Sequence, residues 1–367
     1  MLKLFLRIDG LFNIILNRVY MQKKIRILSL DGGGIRGIIS GVILQYIEQQ
    51  LQKKDNSNLK IGDYFDFVAG TSTGGILACA YLLPNLSTGH AKYGTEEALN
   101  IYLKNGNKIF SSNFFDKLIR GEGLFDEKYS EENLENELAS FFNDSTLDTL
   151  IKPCLITSYE ITSRKAYFFT SLDAKLEPYS NFYLRDVTRA TSAAPTYFEP
   201  ALIQSLTGQE FSLIDGGLFA NNPALCAYAE ARKIAFSNVL NNEEKPNFPK
   251  AKDMMIVSVG TGTEKKPYYF NEFKNAGKIS WVQPIIDILM SGNSETVNYQ
   301  LRQIYNTLSK NDKEDYYRLE PSLREALPSM DNVELSNLNK LEQAGKWYID
   351  ENKDMLNDIV DKLISNK

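Results

Sequence analysis

Residues 64–75 read Tyr64-Phe65-Asp66-Phe67-Val68-Ala69-Gly70-Thr71-Ser72-Thr73-Gly74-Gly75. The run 64–69 is apolar except for Asp66 and of strand length. Glycines then interrupt it, and an apolar helical pattern continues to Leu83. The same succession occurs upstream, where Ile25–Leu30 ends abruptly in Asp31-Gly32-Gly33-Gly34, a helical pattern covers 35–51, and a polar loop at 53–60 leads into the second strand. Two strand, glycine-loop, helix units in succession are the signature of parallel strands joined by helical crossovers.

Further along, strands are expected at Cys154–Glu160, 166–170, 211–214 and Met254–Val259, and helices at Glu131–Phe142, 223–236 and 281–308. From 335 to 364 the positions of Leu338, Leu341, Ala344, Ile349, Leu356, Ile359, Val360 and Leu363 describe two more amphipathic helices. The expected fold is therefore α/β, a three-layer α/β/α sandwich around a mainly parallel central sheet. There is no internal sequence repeat, low-complexity linker or clear domain boundary.

The chain has 367 residues, 43% of them apolar and 24% charged, which suits a globular protein. Net charge is -5 and the lysines are scattered among acids, so nothing matches the basic footprint of a nucleic-acid binder. Cys79, Cys154 and Cys226 lie far apart in apolar stretches and read as small core residues of a reducing compartment. In the first twenty residues, Leu4, Phe5, Ile8, Leu11, Phe12, Ile15, Leu16 and Val19 follow helical spacing. Arg7 and Asp9 argue against a membrane span or secretory signal there. Residues 1–20 are read either as a dispensable extension before Met21 or as an interfacial helix lying on a bilayer. The expected location is the cytoplasm, with transient contact at the inner membrane surface.

Gly70-Thr71-Ser72-Thr73-Gly74 has the GxSxG form, in which a sharp strand-to-helix turn holds a serine in a strained conformation with its oxygen projecting outward. The helix that Ser72 opens aims backbone N–H groups and its positive dipole end at developing negative charge. As a bare pattern GxSxG is common by chance; its place between an apolar strand and an apolar helix strengthens it. A serine nucleophile needs a base, and the single histidine, His90, lies in a polar loop 18 residues beyond Ser72. The intervening helix spans about 15 Å, which carries His90 away from the serine. Asp215 is the better base, delivered by the strand 211–214 to an end where Gly216 and Gly217 let the chain turn. The plain alternative is that Asp215-Gly216-Gly217 is only a turn.

Gly32, Gly34 and Gly37 also satisfy GxGxxG, which raises dinucleotide binding. That fingerprint requires an acidic residue closing the second strand, whereas the second strand here ends in the serine turn. In a hydrolase, Gly32, Gly33 and Gly34 would present N–H groups as an oxyanion hole, with Arg36 adding positive charge or anchoring the loop.

Together, Asp31-Gly-Gly-Gly-Ile-Arg-Gly37, Gly70-Thr-Ser-Thr-Gly74 and Asp215-Gly-Gly217 resemble the patatin-like phospholipase family in order and spacing. Ala190-Thr-Ser-Ala-Ala-Pro-Thr-Tyr-Phe198, Val257-Ser-Val-Gly-Thr-Gly262 and the segment 124–129 look like further motifs of that family, so the resemblance covers about 24–363. It implies a patatin-like domain over 21–367 and a catalytic Ser72–Asp215 dyad without histidine. It also implies an oxyanion hole from Gly32, Gly33 and Gly34, and hydrolysis of phospholipid, lysophospholipid or galactolipid esters with no metal or cofactor. Two other readings stand beside it. One is an effector whose phospholipase is switched on by a small-molecule nucleotide, as in some bacterial relatives in phage defence; the other is a weakly active storage or binding protein. Phe110, Phe114, Phe115, Leu118, Ile119, Leu124 and Phe125 form an apolar stretch that reads either as a mobile cap over the site or as core.

Overall fold

The computed structural model describes residues 23–100, 103, 131–264, 267–274 and 277–367. The amphipathic segment 1–20, the apolar stretch 110–125 and the motif at 124–129 lie outside the described residues.

Along the chain come β1 (Ile25–Leu30), α1 (Gly37–Asp55), β2 (Phe67–Thr71), α2 (Thr73–Leu82), α3 (Glu131–Phe142), β3 (Cys154–Glu160) and β4 (Lys165–Thr170). Then follow α4 (Leu184–Thr191), β5 (Ala201–Gln204), β6 (Glu210–Asp215), α5 (Gly217–Ala220), α6 (Ala224–Ala231) and β7 (Met254–Val259). The chain closes with α7 (Lys278–Asn306), β8 (Tyr316–Leu319), α8 (Leu335–Glu351) and α9 (Lys353–Ser365). The sheet runs β5-β6-β3-β2-β1-β7-β8, and β4 also pairs with β3. Strands β3, β2, β1, β7 and β8 are parallel, while β4, β5 and β6 form an antiparallel extension.

Both faces of the parallel strands are buried, as βαβ crossovers require. Leu28, Leu30, Val68, Val257 and Val259 face a core shared with α1, α2, α8 and α9. Ile25, Ile27, Phe67, Ala69, Met254 and Ile256 face the opposite core, made with α6 and α7. The expected three-layer sandwich is the observed fold, with local differences. Pairing of β2 with β1 begins only at Phe67, because residues 61–64 form a 3-10 turn and the Asp66 side chain is occupied elsewhere. The strand then continues through Gly70 and Thr71, held by β1 and β3 on its two edges. Strands β5 and β8, of four residues each, were not expected; nor was α4.

The N-terminal ends of β1 and β2 are tied together by a buried ionic cluster. Arg26 donates to Asp66 from Nε (3.0 Å) and NH2 (2.7 Å), and Lys245 Nζ donates to the same carboxylate at 2.6 Å. Lys245 also donates to Asn366 O and Arg26 to Leu363 O, so the cluster fastens α9 to the sheet. Burial alone would raise the Asp66 carboxyl, but Arg26 and then Lys245 hold it below its ordinary value. Removing one partner of such a set leaves buried charge unpaired. Asp66→Asn is accordingly expected to destabilise the fold by about 3–5 kcal/mol, read as a lower midpoint in urea; an unchanged midpoint would show that the cluster contributes nothing.

Candidate active site

Ser72 and Asp215 arrive from opposite directions along one strand edge. Strand β4 covers one edge of β3 from Leu155 to Glu160. On the other edge, β2 occupies the positions up to Thr157 and β6 those from Ser158 to Glu160. Because β2 runs parallel to β3 and β6 antiparallel, their C-terminal ends meet: Thr71 sits opposite Thr157 and Asp215 opposite Ser158. Ser72 follows Thr71 directly, so main-chain pairing alone carries the two side chains to one point.

Ser72 has φ 54° and ψ −124°, a conformation unfavourable for a side-chain-bearing residue and costing on the order of 1–3 kcal/mol. Local hydrogen bonds hold it there. The Ser72 N–H donates to Thr191 Oγ1 (2.9 Å), whose hydroxyl donates to Thr157 O (2.7 Å). Thr71 Oγ1 donates to Ala220 O at 2.6 Å. A Cβ on Gly74 would come within 2.2 Å of Leu30 O, so only glycine lets α2 start this close to the end of β1.

Burial pushes the Asp215 carboxyl up to about 6, while the neighbouring Ser72 hydroxyl and a hydrogen bond from the Gly217 N–H pull it the other way. The Gly217 bond measures 2.7 Å, and the Asp215 N–H donates to Ala193 O at 3.0 Å. Ser72 and Asp215 open into one pocket, part of it open to solvent, whose walls include Ile76, Leu134, Leu138, Phe198 and Met290.

The glycine loop forms the third side. Gly33 and Gly34 line the pocket, and their N–H groups have no partner among the described residues. The Gly32 N–H differs: it donates to Asn221 O at 3.1 Å, so of the three loop glycines only Gly33 and Gly34 keep an N–H without a partner among the described residues. Gly34 has φ +58° and would bring a Cβ within 2.2 Å of Met330 O. Thr261 Oγ1 donates to Gly32 O (2.8 Å), and Asp31 is gripped by Arg318 through bonds of 2.9 and 2.7 Å. Arg36 reaches Gly33 O and Gly262 O at 3.4 and 3.5 Å, contacts that brace the loop.

His90 is half exposed, pairs with Asp63 at 3.1 Å and does not line the pocket. Sequence reasoning missed Asn221, whose Nδ2 donates to Ser294 Oγ (3.1 Å), which in turn donates to Asp31 (3.4 Å). With the amide nitrogen thus engaged, Asn221 Oδ1 faces Gly32 and has no hydrogen-bond partner among the described residues. The only signal for it was the Asn221-Asn222-Pro223 run just beyond Asp215-Gly216-Gly217.

A family model described as "Patatin-like phospholipase" matches residues 28–228, a span holding β1, the glycine loop, the serine turn and Asp215. This chain belongs to the patatin-like phospholipase family. Membership supports lipid acyl hydrolase activity. Curated relatives of this patatin-like chain include "Patatin-like protein 1" of Arabidopsis thaliana, 32% identical over 88% of this chain and 80% of the relative. "Patatin group D-2" of Solanum tuberosum is 30% identical over 89% and 84%. Among solved structures, VipD from Legionella pneumophila is similar at TM-score 0.36 and 13% identity, covering 90% of this chain and 67% of VipD.

A carboxyl moved from 3.8 to about 6 opposes folding once ionised. The folded state binds the proton more tightly than the unfolded one, so this contribution is favourable below pH 4 and is lost as pH rises through about 6. Asp215→Asn is therefore expected to raise Tm relative to the parent at pH 8 by an amount equivalent to about 3 kcal/mol, and to have little effect at pH 4. Equal Tm differences at the two pH values would show that the Asp215 charge is not desolvated.

Proposed function

We propose that this patatin-like protein hydrolyses acyl esters of glycerolipids, phospholipid or lysophospholipid among them, through an acyl-serine intermediate. The observation that carries the reading is a serine in a strained strand-to-helix turn, delivered by main-chain pairing to the same apolar pocket as a buried carboxylate. We take residues 21–367 as the domain that carries this activity.

Asp215 accepts the Ser72 proton as Oγ attacks the ester carbonyl. The carbonyl oxygen becomes an oxyanion, for which the Gly33 and Gly34 N–H groups on the pocket wall, without a partner among the described residues, are the candidate donors. Collapse breaks the ester C–O bond, and the departing alkoxide takes the proton back from Asp215. Water then attacks the acyl-serine, losing its proton to Asp215, and the serine oxygen leaves with that proton as free fatty acid forms. A carboxylate poised at about 6 is ionised at neutral pH yet basic enough to accept a proton transiently. The apolar walls suit an acyl chain.

Purified protein is expected to turn over a short p-nitrophenyl ester and to be labelled by a fluorophosphonate, with Ser72→Ala doing neither. Labelling of Ser72→Ala at the parent rate would remove Ser72 as nucleophile. Because Asp215 must be ionised to act, kcat/KM should rise with pH through about 6 and then level. Asp215→Asn should lose turnover by about 10⁴-fold, whereas His90→Ala should retain parental turnover; a strong loss in the latter would restore a histidine mechanism.

A further inference from the structure

Helix α7 carries two apolar faces with different surroundings. Ile286 and Met290 point into the pocket that holds Ser72 and Asp215. On the adjacent face of the same turns, Ile285, Ile288 and Leu289 are exposed. The loop before the helix adds Tyr268, Tyr269 and Phe270, so that six large apolar side chains stand between 45% and 74% exposed. The loop is joined to the helix: Tyr268 packs edge-on against Phe273 at 5.3 Å, Phe273 packs tilted against Trp281 at 4.9 Å, and the Tyr268 hydroxyl donates to Asp287 at 2.8 Å. Scattered exposed apolar residues need no explanation, but a contiguous patch beside a pocket mouth marks an interaction surface.

We propose that this face seats the protein on a lipid bilayer, with the 285–289 stripe and the aromatic loop 268–270 embedded at the boundary between headgroups and acyl chains. The proposal rests on the lipid-ester reading of the pocket and adds where the substrate enters. Three observations favour a bilayer over a second copy of the chain. The exposed stripe shares its helical turns with the pocket wall, so a protein partner docked there would crowd the entrance, whereas a bilayer would deliver acyl chains to it. Tyrosine and tryptophan suit the membrane interface, where one end of the ring is wet and the other apolar. Charge along the segment is nearly balanced, with Lys265, Lys266, Lys274 and Lys278 against Glu264, Glu272 and Asp287, and the chain carries a net charge of -5. Apolar insertion, rather than attraction to anionic headgroups, is therefore the main drive for docking in this proposal.

Co-sedimentation of the full chain with dioleoylphosphatidylcholine vesicles tests this, using Ser72→Ala so that the lipid survives. Binding is expected at low salt and undiminished at high salt. Ile288→Asp with Leu289→Asp should weaken it by about tenfold or more, and Phe270→Ser should weaken it through the loop alone, without touching the helix. In the Ser72 background, both variants should hydrolyse the short soluble ester at the parental rate while losing hydrolysis of vesicle lipid. Absence of vesicle binding by the full chain, or variants that bind as the parent does, would overturn the proposal. So would light scattering showing a parental dimer that these substitutions dissociate, since the face would then belong to a second copy. Should the soluble ester not be turned over at all, the hydrolase reading fails separately, and sedimentation still decides the docking face.

Discussion

One edge of β3 is shared by two strands, and the site depends on that sharing. Hydrogen-bonding capacity along a strand edge is finite, so β2 must stop at Thr157 for β6 to occupy Ser158 to Glu160. The two chains arrive from opposite directions, and each ends where the other begins. Ser72 and Asp215 are therefore brought together by backbone pairing, which does not depend on either side chain. A one-residue slip of β6 would turn Asp215 to the other face of the sheet. Register here is part of the chemistry.

Around this junction the polar groups form a continuous support. Arg318 grips Asp31, Asp31 accepts from Ser294, Ser294 accepts from Asn221, and the Asn221 carbonyl accepts from Gly32. The Ser72 backbone is held independently through Thr191 to Thr157. Such connected networks keep a strained turn in place where isolated bonds would let it relax. The burial that makes Asp215 a better proton acceptor also makes its charge costly, which places reactivity and stability in opposition at this residue.

The two ends of the sheet are treated differently. At the N-terminal ends of β1 and β2, Arg26, Asp66 and Lys245 are buried, mutually paired and closed over by the end of α9. At the C-terminal ends, buried polar groups leave N–H donors of Gly33 and Gly34 uncommitted beside an apolar pocket. This division follows the general behaviour of open parallel sheets, whose sites lie beyond the carboxyl ends of the strands. No described helix is long and apolar enough to cross a membrane, and the exposed half of α7 lies at the pocket end.

Much of this was legible in the chain because it is local. The alternation of apolar runs with Gly32-Gly33-Gly34 and Gly70 to Gly75 dictates strand, turn and helix within a few residues of each glycine, and burial of β1, β2, β3 and β7 on both faces appears as mostly apolar runs without strict alternation. Short β5 and β8 escaped notice because four residues carry no decisive periodicity, and they exist as strands only through the neighbours they pair with. The residue types at the candidate site, Ser72, Asp215 and the glycine loop, were likewise determined by the sequence, since their strand-end positions follow from local pattern. What tertiary structure alone decided is which groups remain free to act. The Gly32 N–H is consumed by Asn221, Arg36 becomes a brace, and Arg318 becomes the anchor of Asp31 across 287 residues of chain. Hydrogen-bond partners so distant in sequence leave no periodic trace, because their pairing is set by how the sheet stacks its strands.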